Sequence, residues 1–195
     1  MLASITPLGE RGRHATWGIT VIAFVLGATV AAAAAGALAG AVGALALPAL
    51  GTRGRLAVLA VAVLAALALD AGPARIPGPR RQVDERWLDE YRGWVYGFGF
   101  GAQLGLGFTT IVSSAATYVA LIAALLTGDP VLGALVFGCF GVVRGLSLLA
   151  AAHVRRPEQL VALHASLLRW RLPVARAGMA VMGATLAVAI IGSLA

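Results

Sequence analysis

Six hydroxyl side chains crowd one apolar stretch: Thr109, Thr110, Ser113, Ser114, Thr117 and Tyr118. On a helix, Thr109, Ser113 and Thr117 follow one another four residues apart, and Thr110, Ser114 and Tyr118 form the adjacent stripe. A polar band that wide sits poorly against lipid. Either it lines a solute path, or its hydroxyls bond back to their own helix and pack tightly on a neighbour. Arg144 is the other polar group inside an apolar run. It lies nine residues before His153, about 13 Å along a helix axis. A guanidinium at that depth costs several kcal/mol unless it snorkels, pairs with an acid or helix carbonyls, or meets an anionic solute. Cys139 is the single cysteine, so no disulfide, CxxC pair or thiolate cage is available within the chain. The histidines at 14, 153 and 164 are scattered, and no His/Asp/Glu cluster falls inside an apolar run. No catalytic residue, metal site or cofactor is expected, and the chain does not read as an enzyme.

The elements that carry these residues are membrane elements by composition. Of 195 residues 60% are hydrophobic and 12% charged, about half the charged fraction of an ordinary soluble domain. Mean hydropathy is +0.91. The apolar residues come in blocks, which excludes one oversized soluble core. All fifteen basic residues are Arg, and the net charge is +7. Apart from Arg144 they sit at or near the ends of apolar runs instead of along one groove, so nucleic acid is not expected as a partner. The N-terminus is polar where the apolar core of a signal peptide would stand.

The fold predicted is all-α: a single polytopic transmembrane domain over 1–195 with about five spans, at about 17–47, 52–70, 94–126, 130–152 and 173–195. Two interfacial helical segments are expected at 82–93 and 157–170. The first span carries a small-residue face with Gly36 and Gly40 as a GxxxG pair, suited either to packing within the chain or to a dimer contact. Pro48 and Gly51 end it. The third span opens with glycines at 97, 99, 101, 105 and 107 before the hydroxyl band. A helix so built can break at mid-membrane where protein or water satisfies its backbone. Asp129-Pro130 reads as the cap and first turn of the fourth span, and Pro173 as the first turn of the fifth. Trp87, Tyr91, Trp94 and Tyr96 read as an aromatic belt.

With five spans, one side receives Arg11, Arg13, Arg75, Arg80, Arg81, Arg86, Arg92, Arg155, Arg156, Arg169 and Arg171, and the other only Arg53 and Arg55. The positive-inside rule then predicts an inner (cytoplasmic) membrane protein with a cytoplasmic N-terminus and its C-terminus outside.

The run from Phe108-Thr109-Thr110 through Ala152, with its tight loop and helix GDPVLGALVFGCFGVVRG, resembles the second half of the CcdA/DsbD-type transmembrane thiol-electron transporters. Phe140-Gly141 stands where that family tends to place Tyr and a later Gly, and residues 24–69 resemble its second and third helices. The resemblance implies a six-helix fold reduced to five, with SITP around Pro7 as the remnant of a first helix. The family's redox cysteines are absent here. Thiol exchange needs an attacking thiolate and a resolving thiol, so Cys139 cannot run the relay alone and reads as a small buried filler.

These features predict a small-solute transporter or channel-like protein, an anion among the candidates, with Thr109, Thr110, Ser113, Ser114, Thr117, Tyr118 and Arg144 along the path. The alternative is a non-catalytic subunit that assembles with and stabilises another membrane protein. The expected partners are the lipid bilayer and a second copy or another membrane subunit, with Gly36 and Gly40 as the surface of approach.

Overall fold

The computed structural model describes residues 5–72, 76–79, 86–110 and 112–194. Among these there are helices and irregular segments and no strand. In order the helices are α1 (Pro7–Gly12), α2 (Trp17–Ala46), α3 (Thr52–Ala71), α4 (Trp87–Glu90), α5 (Gly93–Leu106), α6 (Ala116–Thr127), α7 (Pro130–Leu146) and α8 (Pro157–Leu194). A 3-10 segment over Ser147–Ala151 continues α7. Among the described residues four helices are long and apolar enough to cross a membrane: α2, α3, α7 with its extension, and α8.

α2 is the post around which the others stand, because small residues let three backbones approach it. Gly97, Gly101 and Gly105 of α5 lie on the backbone of Thr20, Phe24 and Ala28 in turn. Both sets step by four and rise together, so the two helices run parallel. Gly36 of α2 meets Gly133 of α7, and Gly40 meets Asp129, so α7 runs antiparallel. Gly43 meets Leu125, and because α6 turns back within two residues into the antiparallel α7, α6 runs parallel to α2 beside its second half. In a lipid surrounding, such close packing would be the main source of association. Gly36 and Gly40 are therefore used inside the chain, not as an outer face for a second copy. α3 packs on α8, with Val63 and Ala66 near Met182 and Leu56 near Gly192.

Two expected elements differ, and a third takes the broken form the glycines allowed. The span over 94–126 is two helices, α5 and α6, with the interruption between Leu106 and Ala116. Gly107 has φ 73°, a left-handed conformation that turns the chain out of α5. The span over 130–152 is α-helical only to Leu146. The separate segments at 157–170 and 173–195 form one helix with Pro173 inside it. Proline strips a hydrogen bond from the carbonyl four residues earlier, that of Arg169. Both residues are exposed, so solvent or headgroups can serve that carbonyl. Of the interfacial segment at 82–93, residues 82–85 lie outside the described residues, and the rest holds the one-turn α4 and the start of α5.

Candidate functional site

The break between α5 and α6 falls halfway along α2. Gly105 is level with Ala28, and Leu125 with Gly43, so the interruption between Leu106 and Ala116 stands near the middle of a helix that runs from 17 to 46. Each end of the break is tied down by a side chain. Thr109 Oγ1 donates to the carbonyl of Gln103 at 2.7 Å, closing the last turn of α5. At the other end Asp70, from the end of α3, accepts from Ser114 Oγ at 2.7 Å and from the backbone N–H of Ala115 at 2.8 Å. A carboxylate there satisfies the start of α6 and faces the positive end of its dipole.

Beside the break lies a cavity of about 1190 Å³. Asp70, Ser113, Ser114 and Arg171 supply its polar wall, and Leu69, Val112, Leu167, Trp170, Val174 and Met179 are among its apolar residues. Ile76 to Pro79 also line it, held by the Tyr118 hydroxyl, which donates to the carbonyl of Pro77.

Only Ser113 and Ser114 of the expected path residues line this cavity. Because the helix is interrupted, Thr109, Ser113 and Thr117 do not form a continuous stripe. Thr117 is buried against Gly107, and Thr110 is buried with its hydroxyl unpartnered among the described residues. Arg144 lies apart on α7, level with Val25, its guanidinium 5.8 Å from the Phe140 ring centre. Cys139 is exposed on α7, not a buried filler.

Two further polar knots went unread in the sequence. Glu10 of α1 is wholly buried. It accepts from Thr20 Oγ1 at 2.6 Å and from the Tyr96 hydroxyl at 2.6 Å, and pairs with Arg13 at 2.8 Å. These bonds pin α1 to the first turns of α2 and α5. Burial works against the Arg13 charge, but hydrogen bonds with Glu10 and Tyr96 outweigh it and raise the guanidinium pKa. At the opposite end, Arg55 donates to the carbonyls of Leu47, Leu50, Leu126 and Thr127. One cation thus gathers the negative ends of the parallel helices α2 and α6. Asp129 caps α7 through the N–H groups of Val131 and Leu132, with Pro130 in the first turn.

The class these features define is an all-helical chain with several apolar helices, compatible with a membrane protein. No protein-family model, curated protein or solved structure matches it. Nothing in these comparisons identifies the thiol-transporter family.

Proposed function

We propose that this chain is a five-span membrane protein that passes a small solute along the interrupted α5–α6 path. The fifth span is that path itself, α5 and α6 end to end beside α2. The observation that carries the reading is the break midway along α2, held open by Asp70 and flanked by a cavity. Interrupted helices are tolerated in lipid only where protein or a water-filled cavity serves the freed backbone groups, and solute sites form there. The chain stands in the cytoplasmic membrane with its N-terminus inside, on the strength of the arginine asymmetry. With Arg144 outside the cavity, an anion is no longer the favoured solute. The test is flux into proteoliposomes across a panel of small neutral, cationic and anionic solutes. Selective uptake that Ser113→Trp blocks supports the reading; uptake equal to protein-free vesicles for every solute overturns it.

A second reading, a subunit that stabilises a partner membrane protein, draws on α8. Between Leu163 and Met182 that helix fully buries no residue, with Met179 only partly packed on the Val63–Met182 cluster, and Arg169, Arg171 and Arg176 fall in this largely exposed stretch. Co-purification of a second membrane chain in fixed stoichiometry, with no flux, would favour it.

A further inference from the structure

We infer that the cavity beside the break takes a protonated amine carried on a small apolar body. The inference rests on the transport reading of this site and names its solute class.

Charge placement carries the argument. Asp70 sits in the last turn of α3, where a carboxylate opposes the dipole of its own helix, and that turn contains no basic residue. The carbonyl end of α3 and the Asp70 carboxylate therefore add to one negative locus on the cavity wall. A carboxylate offers about four acceptor sites, and Ser114 and Ala115 occupy two. The rest can accept from an ammonium group, with the Ser113 hydroxyl beside them. The same cavity is lined by Leu167, Val174 and Met179 of α8, with Trp170, whose ring face attracts cations. One anionic locus in an apolar wall fits one cationic head on an apolar body. Among the described lining residues Arg171 is the countervailing charge, and the positive end of the α6 dipole also faces Asp70. Arg171 is exposed, so solvent screens it more strongly than the half-buried Asp70, and a helix end carries only about half a unit charge.

The experiment is equilibrium binding of radiolabelled phenethylamine and, separately, hydrocinnamate to the full chain in phosphatidylcholine nanodiscs. The expected result is saturable binding of the amine and not of the carboxylate. Asp70→Asn, which keeps an acceptor for the α6 cap, should weaken amine binding about tenfold or more, the loss of a charge-assisted hydrogen bond. Ser113→Trp, which places an indole in the cavity next to the Asp70 cap while leaving the cap residues in place, should abolish it. Circular dichroism and gel filtration check that both variants fold. Hydrocinnamate binding that Ser113→Trp blocks would overturn the amine class and leave the solute site standing. Saturable binding of neither probe would overturn both. Amine binding that survives Asp70→Asn unchanged would remove Asp70 from the site. Loss of amine binding when phosphatidylethanolamine is added would give the cavity to a lipid headgroup and overturn a free solute.

Discussion

Alanine at a glycine should have opposite effects on α2 and α8. At Gly36 an added Cβ would overlap the Gly133 carbonyl oxygen and come within 2.7 Å of the Phe137 Cβ. The obstacle is mainly backbone, so relief requires α2 and α7 to move apart. Overpacking of this kind costs about 1–3 kcal/mol. Alanine's better helix propensity returns only about 1 kcal/mol. The upper range of the overlap cost applies, because two backbone atoms and a Cβ all stand inside normal contact distance, so a net loss of about 1–2 kcal/mol follows. At Gly178 of α8 nothing lies within 4 Å, so only the propensity gain remains. For a chain of this size each kcal/mol moves the melting temperature by about 2–4 °C. Gly36→Ala should therefore melt several degrees below the wild type in detergent, and Gly178→Ala at or above it. Circular dichroism at 222 nm, the helical band, reads both melts. A Gly36→Ala protein as stable as the wild type would refute the account of α2 as the post against which the backbones close.

Glu10→Ala leaves Arg13, Thr20 and Tyr96 facing an empty site. It should cost about 3 kcal/mol, the lower end for breaking a buried pair because Arg13 retains 24% of its side-chain exposure, read by thermal melting. Arg55→Ala should cost about 2 kcal/mol through its lost charged hydrogen bonds. Limited proteolysis at the α2–α3 and α6–α7 turns checks this, since both should become more susceptible. Cys139→Ala should leave flux and stability unchanged, because the side chain is exposed on α7 and has no second thiol to react with; a large loss of flux in folded protein contradicts that. Gly12→Cys and Gly51→Cys, both at open positions, test orientation in a Cys139→Ala background. In intact cells an impermeant thiol reagent should label position 51 and not position 12.

Much of the bundle was legible because close packing leaves a local trace. Glycines four apart at 97, 101 and 105, and at 36 and 40, declare faces where backbones meet, although not which helix fills them. The weakness of the helix before the hydroxyl band was legible too, since Gly107 and its neighbours lower propensity. The cap that makes the break was not: Asp70 and Ser114 stand 44 residues apart, and only folding joins them. An acid in the last turn of an apolar helix was the one available signal, because it opposes the helix dipole. Glu10 was hidden by its short polar segment, which gives no periodicity to mark a buried face. Pro173 misled because proline favours a first turn, yet an exposed interior position tolerates it when the orphaned carbonyl is served from outside.

The most direct test of the interrupted path is water access at its centre. Ser113→Cys, in a Cys139→Ala background in open membrane sheets, should react readily with an impermeant thiol reagent. Leu135→Cys, on the exposed outer face of α7, should not. An unreactive position 113, in membranes where Gly12→Cys reacts fully, would contradict a water-filled break at the centre of the fold.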